Sequence, residues 1–278
     1  MKVIKRMNPV WKPRADGIAM LNFAMAQIKS VPYKVSSRWT FYQLVQSGFI
    51  KKVKVCKFDY LLSKARKNFY GDWRPDTLTD TIRHTNFKGE FSASFGVSLD
   101  SVADQDYYVQ LWFEAEAMHG QFEYHTHDYR VSLIPFRGDC SIPIKWALAK
   151  KLEAIGQKYN KPIKILYFGD CDKKGFQILE AALKDIRAWC NTEFDVERIG
   201  LTLEQARELN IPENPDKPDS YQWEALGDER AGKLILSGVT RYLKPVSLTQ
   251  QDREKAIESK IRPKFVEILN MELGANYT

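Results

Sequence analysis

Residues Ile163 to Gly175 read IKILYFGDCDKKG, and the fold is decided there. The apolar run from Ile163 to Phe168, bracketed by Pro162 and Gly169, is too short for a helix of its own and has the length of a buried strand. Asp170 and Asp172 stand just past its end. From Gly175 onward Phe176, Leu179, Ala182, Leu183 and Ile186 recur at helical spacing, which predicts an amphipathic helix. Strand, acidic turn and helix in that order predict a parallel α/β unit, whose ligands sit at the carboxyl edge of the strands. Alternate residues of an extended chain point the same way, so the two aspartates can present oxygens to one point from about 6 to 7 Å of chain. Hard oxygen pairs of that kind suit Mg²⁺. Asp and Gly are also ordinary turn formers after a strand, so a third carboxylate is needed to give the pair meaning.

That carboxylate lies upstream. Tyr107 to Phe113, YYVQLWF, predicts a second strand and ends in Glu114, as the first ends in Asp170. A third apolar run, Val131 to Phe136, ends in Arg137 and Gly138, which places a cation and a permissive backbone on the same edge if the strands are neighbours. An edge so furnished would hold a metal and bind phosphate.

A Glu at the end of one strand, followed after another by G-D-x-D-x-x-G, resembles the Toprim domain of topoisomerases, primases and some nucleases. The matching residues are Glu114, Asp170 and Asp172, framed by Gly169 and Gly175. The resemblance implies that these three acids hold Mg²⁺, with Mn²⁺ as a substitute, and that the chemistry concerns phosphodiesters. Three positions depart from the pattern. Ala115 comes after the Glu where many relatives carry Lys, and Lys173-Lys174 stand where a Pro and a small residue are usual.

Charge is unevenly spread. The chain carries +7 overall, but residues 1–90 carry +12 and the remaining 188 carry −5. A cationic front suggests a polyanion partner. Lys51, Lys52, Lys54 and Lys57 alternate with Val53, Val55 and Phe58 in a strand-like or wing-like strip, and Lys64, Arg66 and Lys67 come next on a predicted helix from Asp59 to Lys67. Two helices are predicted ahead of the strip. One spans residues 17–29; the other is capped by Ser36-Ser37, carries Arg38 to Leu44 and ends near Gly48. Helix, helix, basic strip and helix suggest a winged-helix-like DNA-binding domain. Lys51, Lys52, Lys54, Lys57, Lys64, Arg66, Lys67 and, from the acidic edge, Arg137 are the candidate DNA contacts. They would read phosphates, which carry no base information.

The second helix holds another motif. Arg38-Trp39-Thr40-Phe41-Tyr42 puts Arg38 and Tyr42 at i and i+4, on one helical face. A phenol is mostly protonated at neutral pH, so a nucleophilic Tyr needs cationic neighbours or a base. R-x-x-F-Y ahead of a Toprim domain resembles the A subunit of topoisomerase VI and its relative, the meiotic double-strand-break transesterase, and the segments Val196 to Gln205, Pro212 to Asp219 and Trp223 to Leu226 resemble the continuation in short, Mini-A-type forms from mobile elements. The resemblance implies that Tyr42 attacks DNA with Arg38 beside the reacting phosphate, leaving a 5′-phosphotyrosyl link, and that a homodimer pairs the tyrosine of one protomer with the acids of the other. It also implies duplex DNA as substrate and a separate ATPase subunit as a possible partner. A Toprim nuclease that uses water, or a non-catalytic DNA-binding component of a mobile element, are the alternatives.

The fold class expected is mixed α/β, with a helical winged-helix-like domain over residues 1–90, a linker over 91–106, a Toprim domain with a mainly parallel sheet over 107–226, and a helical segment over 227–278. Helices are predicted from Asp228 to Leu243 and from Asp252 to Leu273, the second interrupted or restarted at Pro263, with an extended loop from Pro212 to Ser220. Cys56, Cys140, Cys171 and Cys190 form no C-x-x-C pair, which fits a reducing compartment. His125 and His127 would share a strand face, and no role is assigned to them or to His119. No apolar run approaches 18 residues, so no membrane is expected. The expected setting is cytoplasmic and nucleoid-associated, in a bacterial, archaeal, viral or mobile-element context.

Overall fold

The computed structural model describes residues 11–50, 55–78, 95–138, 140–214 and 217–273. The protein is mixed α/β, with a four-stranded parallel sheet flanked by helices.

Three helices come first: α1 (Ala15–Ser30), α2 (Ser37–Gln46) and α3 (Val55–Lys67). Ser36 starts α2 by accepting the Trp39 N–H on its hydroxyl at 3.1 Å, a cap whose loss costs about 1 kcal/mol. Leu21 and Ala24 of α1, Trp39, Phe41 and Leu44 of α2, and Phe58, Leu62 and Ala65 of α3 close a small core of their own. That packing corrects the reading of the basic strip. Lys57 and Phe58 lie on α3, because Phe58, Leu62 and Ala65 recur at helical spacing and all three are buried. Lys51, Lys52 and Lys54 lie outside the described residues, and the described residues of this unit contain no strand.

The sheet unit is built in chain order from β1 (Tyr108–Phe113), α4 (His119–Thr126), β2 (Ser132–Pro135), α5 (Ile142–Tyr159), β3 (Ile163–Phe168), α6 (Lys173–Trp189), β4 (Asp195–Gly200) and α7 (Leu203–Glu208). Strand order is β2-β1-β3-β4, all parallel. Period-two alternation divides the side chains between two faces. Val109, Leu111 and Phe113 of β1 join Leu166 and Phe168 of β3 on one face. Tyr108 and Trp112 join Ile163, Ile165 and Tyr167 on the other, under α5 and α6. The register Phe113↔Phe168 sets β1 and β3 flush, so Glu114 and the acidic turn leave the sheet side by side.

A 3-10 turn at Trp223–Leu226 leads into α8 (Asp228–Val239) and α9 (Leu248–Leu273). α8 covers the first face of the sheet through Ala231, Ile235 and Val239. α9 runs through Pro263 without a break, contrary to the expected interruption. Residues 95–106 form no strand. The two histidines expected on a strand lie elsewhere: His125 is in α4 and His127 begins a 3-10 turn. Gln121, Phe122 and Thr126 face the core from α4, a helical pattern hidden in a stretch with no apolar run.

Candidate active site

The carboxyl edge of the sheet is held together by backbone. The Glu114 N–H donates to Phe168 O at 3.1 Å, Gly138 N–H to Glu114 O at 3.1 Å, and Gly169 N–H to Gly200 O at 2.8 Å. All four strand exits therefore meet in one place, and the acids meet with them. Glu114 accepts the Asp170 N–H on Oε2 at 3.0 Å. Asp170 accepts the Trp223 N–H on Oδ1 at 2.8 Å. Asp172 caps α6, accepting the Gly175 N–H on Oδ1 at 2.7 Å. In each carboxylate one oxygen is thus fixed by a main-chain donor.

The two framing glycines have a steric reason. A Cβ on Gly175 would stand 2.5 Å from the Asp170 carbonyl oxygen and 3.0 Å from Glu114 Oε2; one on Gly169 would also stand 3.0 Å from Glu114 Oε2. The Glu114 carboxylate occupies the space that side chains there would fill.

Two further charged residues complete the site. Glu224, only 5% exposed, comes from the 3-10 turn, and Arg198 of β4 reaches beneath the acidic turn. The Arg198 guanidinium donates to the Asp170 carbonyl and stacks on Phe176, 4.1 Å from the ring centroid, in a cation–π contact. Sequence reasoning assigns neither residue a role. Glu224 lies 54 positions beyond Asp170, and no local pattern announces that the chain returns there.

Arg38 and Tyr42 arrive from α2, which packs on the 3-10 turn. Arg38 Nε stands 3.4 Å from Glu224 Oε1 and its guanidinium hydrogen-bonds Tyr42. Tyr42 is 4% exposed and belongs to the hydrophobic core of the sheet unit in its own chain, with Phe113, Met118 and Trp223. Within the chain, tyrosine, arginine and acids are gathered at one edge of the sheet. Helix α2 divides its side chains, giving Trp39, Phe41 and Leu44 to the N-terminal core and Tyr42 to the other.

Electrostatics reflect this crowding. Burial pushes the Glu114 and Asp170 carboxyls above the usual carboxylate range. Asp170 is raised further by the charges of Glu224 and Glu114, against the opposing Trp223 N–H and Arg38. Burial, with the Glu224 and Asp170 charges behind it, pushes the Tyr42 phenol up to about 12, although Arg38 works the other way. Burial tends to lower the Arg38 guanidinium, and the carboxylates of Glu224 and Asp170 more than offset it.

A cavity of about 840 Å³ opens over the acids, with Glu114, Asp170, Asp172 and Glu224 among its walls; Tyr42 does not line it. Arg38, Arg66, Arg137 and Lys174 line it too, so acids and bases share one opening. Of the expected DNA contacts, Arg66 and Arg137 thus reach the site; Arg137 is held by Glu116 at 3.0 Å. Lys57 pairs with Asp16 at 3.3 Å, Lys64 lies over the Tyr60 ring, and Lys67 is exposed.

The donor set fits a hard divalent cation in kind. Its oxygens come from carboxylates whose burial as bare anions is costly, and added positive charge would relieve it. Among the described residues, no three acidic, histidine or cysteine side chains stand grouped as a metal site, so the acids share a cavity without closing on one point. No family model matches the chain, and no curated protein and no solved structure is similar enough to assign one.

Proposed function

We propose that the protein is a Mg²⁺-dependent DNA-cleaving transesterase, similar to the A subunit of topoisomerase VI in a short, Mini-A-like form. The observation that carries this reading is the meeting of α2 with the sheet edge: Arg38 and Tyr42, picked out by one motif, stand beside Asp170, picked out by another, and beside Glu224.

The Tyr42 Oη attacks a backbone phosphorus and forms a phosphotyrosyl ester with the 5′ end. The bond to the 3′ oxygen breaks, the phenol proton departs to solvent or a base, and the 3′ oxygen leaves with the bonding pair and takes a proton from solvent to become the free hydroxyl. Arg38 faces the charge that builds on the phosphate, while Arg66, Arg137 and Lys174 draw the backbone to the opening. A divalent cation held by Glu114, Asp170 and Asp172 would supply charge neutralisation at that phosphate. Because an ester is exchanged for an ester, the 3′ hydroxyl can reverse the step without ATP. A homodimer would make two cuts, and a separate ATPase subunit would be needed only to order strand passage.

Duplex DNA incubated with Mg²⁺ or Mn²⁺ and quenched with detergent tests this. Wild type is expected to leave protein on 5′ ends, and both Tyr42→Phe and Asp170→Ala are expected to leave none. Protein-free ends that persist in Tyr42→Phe would sink the transesterase. They would establish the second reading, hydrolysis by water at the same acids. One observation favours that reading: Tyr42 is 4% exposed and its phenol is pushed up to about 12, so it must be uncovered and helped to lose its proton before it attacks DNA. Salt-sensitive binding without cleavage would leave a non-catalytic DNA-binding component.

A further inference from the structure

Behind the acidic edge runs a chain of hydrogen bonds with no part in the cleavage chemistry. The Trp223 N–H that holds Asp170 Oδ1 belongs to a residue whose indole N–H donates to Gln121 Oε1 at 2.9 Å. The Gln121 amide N–H₂ donates to Asp228 Oδ1 at 3.1 Å. Asp228 also receives the Tyr33 hydroxyl, from the segment between α1 and α2, and stands 3.1 Å from His125 Nε2. Gln121 is 7% exposed and Trp223 1%, so water does not compete for these bonds. An indole N–H can only donate, and a carboxylate can only accept; the amide of Gln121 therefore has one orientation that satisfies both.

We infer that Gln121 is a positioning residue for Asp170: by locking the Trp223 indole to Asp228, it fixes the Trp223 N–H that aims the Asp170 carboxylate and the turn that carries Glu224. This rests on the reading that Asp170 helps hold a divalent cation. Residues that orient ligands in this way commonly alter metal affinity by roughly 10- to 100-fold when replaced.

The test is Mn²⁺ affinity, read from the paramagnetic resonance of free Mn²⁺ without DNA or turnover. Wild type, Asp170→Asn, Gln121→Met, Trp223→Phe and the double variant Gln121→Met/Trp223→Phe are compared, each with its thermal midpoint. Expected are binding by wild type that Asp170→Asn abolishes, a loss of roughly 10- to 100-fold in each single variant, and no further loss in the double, because both changes break the same bond. Binding that Asp170→Asn abolishes but Gln121→Met and Trp223→Phe leave unchanged overturns this inference alone; so do single losses that multiply in the double. No Mn²⁺ binding by wild type, or binding indifferent to Asp170→Asn, overturns the cation reading and this inference with it. Should Gln121→Met fail to fold, Trp223→Phe against wild type decides.

Discussion

Asp172 performs two tasks with one carboxylate, and they can be separated. Its Oδ1 caps α6, and its charge belongs to the acidic cavity. Asn caps a helix about as well as Asp, whereas Ala does not, at about 1 kcal/mol. Asp172→Asn is therefore expected to melt near wild type and Asp172→Ala about 2 °C lower, while both lose Mn²⁺ binding. Equal melting of the two variants would show that the cap contributes nothing. Gly175→Ala is the steric counterpart: its Cβ would meet main-chain oxygen at 2.5 Å, and overpacking of that kind costs about 1–3 kcal/mol. Denaturant unfolding should show that loss together with weakened cation binding; a variant that gains stability would contradict the tight contact.

At the scale of elements, the sequence is legible where a signal is local. The strand Ile163–Phe168, its acidic turn and α6 can be read because apolar run, turn residues and helical period are adjacent in the chain. Tyr108–Phe113 ending in Glu114 is legible for the same reason. α4 is not, since its buried face consists of Gln121, Phe122 and Thr126, and a polar buried face leaves no hydrophobic period. Glu224, Gln121 and Asp228 escape because their place in the site depends on contacts that span 53 to 107 positions. Lys57 misleads because alternating Lys and Val fits a strand until Phe58, Leu62 and Ala65 are seen to share a core. α9 offers a prediction at this scale. Its first half is tied down by Glu254, which accepts two bonds from Arg130 and the Leu99 N–H at 2.7 Å. The Arg130 hydrogen bonds lower the Glu254 carboxyl to about 2, below the unfolded value of about 4.3. The stabilisation is thus complete above the unfolded value and lost as pH falls through about 2. Glu254→Gln should melt below wild type at pH 7, and the gap should close on acidification. A gap independent of pH would assign the effect to packing.

For the whole molecule, charge separates the two ends of the chain: +12 over residues 1–90 against −5 beyond. If this cationic front tracks a phosphate backbone, affinity for duplex DNA should fall steeply with salt. Lys64→Ala combined with Lys67→Ala should then reduce the slope of log K against log salt by about 2. An unchanged slope would mean that these lysines only solubilise an exposed face. A filter-binding series from low to moderate salt measures this directly.

Helix α2 lends three side chains to one core and Tyr42 to the other, and this has a bearing on how the chain melts. A helix shared between two cores cannot stay folded for one while the other unravels without leaving large aromatic groups in water. The N-terminal helices and the sheet are thereby bound into one cooperative unit. Calorimetry should record a single transition whose van't Hoff and calorimetric enthalpies agree. Amides of α2 should exchange with solvent at the rate of global opening and no faster. Two resolved transitions would mean that the front of the molecule stands on its own.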